Sequence, residues 1–294
     1  MSRSAGDSDM AKVLRWGGYL LIAVLLIVLV AASWLWIASS QKLRGGSRHA
    51  ERLAAATPVQ LADGSRQLRV LGCLGCHGEG LRGTLFFDEP NVARICAPNL
   101  TMVAAKASDA QLGQAITQGI GVDGRALVIM PSATFARLDD GEVAAVIAAI
   151  RALPKGGRPS PPPQVGVFGR LGLVTGKFHT QPEILADYAR RMPVDLGPDY
   201  RLGRHITASK CAECHGPDLS GAEVEPGVTA PDLTIAGAYD LAAFKTLIRT
   251  GVPPGGRKLK MMGSVAKEDL SHYTDEEIAA IHAYLSARAR KLSR

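Results

Sequence analysis

Strand-like alternation of apolar and polar side chains is missing throughout this 294-residue chain, which leaves helices to build its core. Charge is missing between Trp16 and Gln41, so that stretch does not read as a solvated surface helix. Cysteine is scarce: there are five, and four of them sit in two Cys-x-x-Cys pairs. A disulfide scaffold would not need a His directly after both pairs, and a zinc ribbon would set its pairs roughly 15–20 residues apart. Cys76 and Cys211 are separated by more than a hundred residues. A basic stripe is also absent, because the net charge of +7 is dispersed along the chain, and nucleic acid is therefore not among the expected partners. Arg288, Arg290, Lys291 and Arg294 form a basic tail, expected as a solvated helix end.

What is present is Cys-x-x-Cys-His twice, as Cys73-Leu74-Gly75-Cys76-His77 and Cys211-Ala212-Glu213-Cys214-His215. Each motif reads as a covalent haem c attachment site. Two thiols two residues apart, on a turn entering a helix, reach the two vinyl groups of one porphyrin. The adjacent His then lies under the ring as proximal ligand, with its second nitrogen left for an orienting acceptor. Two haem c groups are expected, on Cys73, Cys76 and His77 and on Cys211, Cys214 and His215. Cys96 is left over and reads as a small buried side chain.

The uncharged stretch includes an apolar run from Gly17 to Ile37, long enough to span a bilayer, with Trp16, Trp34 and Trp36 bracketing it as interfacial anchors do. Flanking charge does not orient it, since Lys12 and Arg15 are matched by Lys42, Arg44 and Arg48. Haem c is attached outside the cytoplasmic membrane, so the expectation is a single-pass anchor in a bacterial cytoplasmic membrane, N-terminus inside and everything after residue 41 on the periplasmic side. A cleaved signal peptide competes, because Ala38-Ser39-Ser40 offers small residues, but the run exceeds an ordinary h-region of about 7–15 residues.

The two halves agree beyond the haem motif. Cys-His-Gly-x-x-Leu-x-Gly occurs at 76–83 and 214–221, Ala97-Pro98-Asn99-Leu100-Thr101 answers to Ala230-Pro231-Asp232-Leu233-Thr234, and Gly124-Arg125 answers to Gly256-Arg257. Met130 lies five residues after Arg125 on an extended loop, and the same count from Arg257 gives Met262, with Met261 adjacent. These are the candidate distal ligands, Met130 in the first half and Met262 in preference to Met261 in the second. Ser108, Asp139, Asp240 and Thr274 carry helix-capping patterns. Val143, Val146, Ile147 and Ile150, and later Ile278, Ile281 and Leu285, recur at helical spacing on the two closing helices.

With these features both halves resemble class I cytochrome c domains, over roughly 65–153 and 200–290. The resemblance implies an all-α chain: a cytoplasmic stub and anchor (1–41), a tether (42–64), a first domain (65–153), a Pro-rich connector and interdomain segment (154–199) and a second domain (200–294). It further implies that Pro98 and Pro231 present backbone carbonyls to His77 and His215. Departures are Gly263 where Pro131 follows Met130, three extra residues before the last helix, and Cys96 before the Ala-Pro pair. In the connector, 182–191 reads as a short helix packed across the domains. His282 is expected at an interface and His205 on the surface, while His49, His179 and His272 fall in loop-like context.

A ring with His and Met on its two faces has no open position for substrate, so the expected role is single-electron transfer rather than catalysis. The donor would be a quinol-oxidising complex or a dehydrogenase, the acceptor an oxidase or soluble cytochrome. Two other readings stand beside it: a dihaem peroxidase-like enzyme with one labile Met, and the cytochrome subunit of a periplasmic dehydrogenase.

Overall fold

The computed structural model describes residues 5–45, 54–225 and 227–293. Helix α1 (Ala5–Leu43) contains a segment long and apolar enough to cross a membrane, Lys12–Leu43, with a mean hydropathy of 2.9 and none of its most apolar window buried.

The first unit opens with α2 (Pro58–Val70), whose Thr57 cap and Gln60 bond reciprocally while Pro58 supplies the first-turn φ. The first haem motif forms α3 (Cys73–His77). After it come β1 (Thr84–Glu89) and β2 (Ala93–Ala97), an antiparallel pair in which Thr84 faces Ala97. Helices α4 (Leu100–Ala104), α5 (Asp109–Gln118), α6 (Ser132–Phe135) and α7 (Asp140–Ala152) complete it. The connector holds β3 (Gln164–Val165), which pairs with β2, and α8 (Val167–Thr175) and α9 (Gln181–Arg190).

The second unit repeats the plan with α10 (Arg201–Ile206), α11 (Ala212–His215), the hairpin β4 (Ala222–Glu225) and β5 (Val228–Ala230), then α12 (Leu241–Thr250), α13 (Met261–Glu268) and α14 (Asp275–Leu292). Ser108, Asp139, Asp240 and Thr274 each cap the helix they precede. Both closing-helix stripes are buried: Val143, Val146, Ile147 and Ile150 on α7, and Ile278, Ile281 and Leu285 on α14.

The molecule is mostly helical, but the all-α expectation is corrected by these two small sheets. Their strands escape an alternation test because they are short and β1 is exposed on nearly every residue. With no buried face, nothing imposes a period of two. The stretch 42–64 is not a uniform tether either. Leu43 O accepts from Ala126 N at 2.9 Å, Gly45 N donates to Gly124 O at 2.9 Å, and from Pro58 the chain is already α2. Residues 46–53, with His49 and Arg48, lie outside the described residues.

The units meet along an interface of charge-assisted bonds. Arg66 on α2 binds Asp63 at 2.6 Å and reaches Glu277 on α14 at 2.8 and 2.9 Å. Arg137 donates to the carbonyls of Ala208, Pro217, Tyr188 and Arg191, with its guanidinium 5.0 Å from the Tyr188 ring centre. Helix α9 bridges both units, since Tyr188 Oη donates to Ala212 O at 2.9 Å. His282, expected at an interface, instead bonds Tyr239 O at 2.8 Å within the second unit.

His205, expected on the surface, lies at the interface, its Nε2 2.9 Å from Glu142 of α7. The hydrogen bond to Glu142 raises the His205 pKa against the opposing effect of burial. A raised folded-state pKa means that this stabilisation is complete below the ordinary His value of about 6.5 and is lost as pH rises through the folded value. Thermal unfolding between pH 6 and pH 8 is therefore expected to lose about 1 kcal/mol that the His205→Gln variant does not lose. Parallel pH profiles in the two proteins would refute it.

Candidate functional site: two Cys-Cys-His centres and their clamps

Both halves build the turn after the motif in the same way. Gly83 N donates to His77 O and Gly221 N to His215 O, each at 2.8 Å. Inside the turn, Leu81 and Leu219 hold left-handed backbone (φ 55° and 67°) while their side chains are 1% and 0% exposed. Glycine would relieve the backbone but leave a hole, so an apolar side chain is kept at a strained position.

This turn and the following hairpin return the chain to the Ala-Pro loop beneath the imidazole. His77 Nδ1 lies 2.8 Å from Pro98 O, and His215 Nδ1 lies 2.8 Å from Pro231 O. A carbonyl can only accept, so in each ring Nδ1 carries the proton and the lone pair is on Nε2. Burial lowers both imidazole pKa values, opposed by these bonds, which favours the neutral, ligating form.

The loops carrying those carbonyls are themselves clamped. Asn99 Nδ2 donates to Gly156 O at 2.8 Å and Arg158 O at 3.2 Å, and Asn99 N donates to Ser160 Oγ at 3.0 Å, so the Pro-rich connector folds back onto the loop. In the second half the closing helix does this work: Arg288, 3% exposed, donates to Asp232 at 2.7 Å and Asp218 O at 3.2 Å. Arg288 is thus not part of a solvated tail; Arg290 and Lys291 are exposed, and Arg294 lies outside the described residues. Arg288→Ala removes the buried donor that ties Asp232 and Asp218 O to the closing helix, leaving Asp232 only its bond from Thr234 N, and is expected to cost the second unit about 1–2 kcal/mol, read as an earlier thermal transition. An unchanged transition would count against the clamp.

The candidate distal residues differ. Met130 lies in the bend before α6, half-buried against the core. Gln181 of α9 fixes this bend, accepting from Ala133 N at 3.1 Å and donating to Val128 O at 3.1 Å and, through its backbone, to Leu127 O at 2.7 Å. Met262 stands not on a loop but in the first turn of α13, and it too packs against the core, whereas Met261 is 38% exposed. Gly263 in place of Pro131 accounts for the change: without a proline, the helix can begin earlier.

Burial pushes the Cys73 and Cys211 thiols up to about 12 and the Cys214 thiol to about 11. All five cysteines are free, Cys96 being half-buried on β2. Among the described residues no three His, Cys, Asp or Glu side chains converge to hold a bare metal ion. Side chains that do not converge on one point fit a large planar group spanning them better than a zinc ion, which draws its thiolates to about 2.3 Å.

The two motifs abut across the interface. Gly72, just before Cys73, has φ 77°, and a Cβ there would sit 2.9 Å from Lys210 Nζ and 2.7 Å from Asp269 Oδ2. Lys210, just before Cys211, bonds Asp269 at 2.9 Å. Burial works against its ammonium, but the carboxylates of Glu213 and Asp269 offset this and hold its pKa above the usual value. Where Gly72 breaks the first helix, Lys210 cannot, and residues Thr207–Cys211 pass through a π-helical turn instead.

Sequence reasoning missed Asn99, Gln181, Arg288 and Lys210. Asn99 and Asp232 were visible as matched positions of the repeat, but Gln181 lies in the unrepeated connector and carried no signal. No curated protein sequence matches the chain. The model of the family described as Cytochrome c matches residues 61–154 and again 200–288, most of the chain outside the anchor and connector. The chain belongs to the cytochrome c family, whose domains bind covalently attached haem c and transfer electrons through it.

Proposed function

We propose that this protein is a membrane-anchored dihaem c-type cytochrome that passes single electrons between periplasmic or membrane redox partners. The observation that carries the reading is the repeated pairing of each motif's imidazole with a proline carbonyl at 2.8 Å, which directs Nε2 away from the protein backbone in both halves. Cys73, Cys76, Cys211 and Cys214 would hold the two rings, His77 and His215 would be the proximal ligands, and Met130 and Met262 the distal ones. Haem supplies one-electron iron chemistry when bound. Were an imidazole and a thioether both to hold each iron, no position would be left for substrate, and a thioether ligand in an apolar setting would favour the reduced state.

Helix α1 would be a retained anchor, N-terminus inside, since haem c attachment takes place on the outer side. The donor would be a quinol-oxidising complex or a dehydrogenase and the acceptor an oxidase or soluble cytochrome, which co-purification in mild detergent would identify. Potentiometric titration of the full chain tests the carrier itself: two one-electron waves, both at positive potential, are expected. Uptake of only one electron per chain, or strongly negative midpoints for both, would refute it.

A further inference from the structure

We propose that α8 is an interfacial helix that rests its apolar face in the outer leaflet of the membrane, beside the end of α1; this rests on the anchor reading above. The face is made of Val167, Phe168 and Leu171, exposed by 63%, 60% and 45%, with Phe178 just beyond the helix exposed by 44%. At 100° per residue the three helical positions fall within about one quadrant. The opposite side, Gly169, Gly172 and Leu173, is buried. Gly169 lets α8 lie directly on the backbone of Val92, where a Cβ would collide with the carbonyl oxygen. Phe168 N and Gly166 N donate to Asn91 O and Val92 O, both at 2.9 Å, so the hairpin holds the helix in place with its large apolar side chains outward.

The depth of α8 is set by its partner. Arg170 lies 3.6 Å over the Trp36 ring and donates to Ser39 Oγ at 2.8 Å and Ser40 Oγ at 3.1 Å. From Trp16 to Trp36 an α-helix rises about 30 Å, the thickness of the hydrocarbon layer, so Trp36 falls at the outer boundary. Trp34, Trp36 and Ile37 are exposed by 60%, 60% and 58%, and α8 packs against the end of α1 that carries them. Exposed Arg44 and Lys177 flank the region at headgroup level. An amphipathic helix with bulky apolar residues at this level binds the headgroup and acyl boundary. Its effect is to seat the first unit against the bilayer, through α8 and the contacts of residues 43–45 with 124–126.

The test uses the full haem-loaded chain in nanodiscs of phosphatidylethanolamine and phosphatidylglycerol containing a phosphatidylcholine with a diazirine in its acyl chain. After illumination, adducts are mapped by peptide mass spectrometry. Adducts on both α1 and residues 167–178 are expected, and those on 167–178 should fall several-fold in a Phe168→Ser, Leu171→Ser variant while those on α1 persist. Both replaced side chains are exposed, so the fold should survive, and the unaltered chain decides the matter if it does not. Adducts on α1 alone, as when another copy of the chain covers α8, overturn the inference and leave the anchor standing. A chain without adducts on α1 overturns the anchor reading together with the inference.

Discussion

A Cys73→Ala, Cys76→Ala chain produced in a host that matures c-type cytochromes is expected to emerge one haem lighter than the parent, with about half its Soret absorbance. By the proposed reading each Cys-x-x-Cys-His motif would fasten one ring through its own two thiols, and the second pair would already be committed to its own ring. Burial pushes the Cys73 thiol up to about 12. Losing one ring could also endanger the fold of the first unit. A Cys76→Ala chain, keeping one thioether, covers that outcome: it should retain the mass of two haems and show one altered haem spectrum. A parent chain with the mass of its bare residues and no Soret band would refute the reading at its root.

The repeat made most of the centre legible. Matching the two halves paired the imidazoles with the Ala-Pro loops that the structure brings to them, and the matched segments share backbone detail down to the left-handed Leu81 and Leu219. The caps at Ser108, Asp139 and Thr274 were legible because they are local, a side chain bonding a backbone three residues on. What stayed hidden was non-local. Arg288 lies in a run of basic residues at the end of a helix, and only the return of α14 over the Asp232 loop turns it into a buried clamp. His205 and His282 exchanged expected places for the same reason: helical position says which face a residue occupies, not what packs there. The hairpins were missed because an exposed two-stranded ribbon has no buried face to write a pattern into the sequence.

Met262→Ala and Met261→Ala should give opposite results. The alanine at 262 removes the side chain that packs against the core in the first turn of α13, and one of the two haems is expected to lose its Met-to-iron charge-transfer band and become high-spin or take up an exogenous ligand. Its midpoint should fall by an amount on the order of tenths of a volt, since axial ligands move haem potentials over a range of about 0.8 V. The alanine at 261 removes a side chain that is 38% exposed, and both bands and both midpoints should stay where they were. If Met261→Ala abolishes the band instead, the helix start observed at Met261 is not the arrangement of the haem-loaded protein. If neither variant changes the spectrum and one haem is already high-spin in the parent, that iron is open at rest. The chain then has the coordination a peroxide-reducing centre requires, and the carrier reading yields to the peroxidase-like one. The outcome turns on Gly263, which allows the helix to start at the methionine where Pro131 holds the equivalent residue of the first half on a bend.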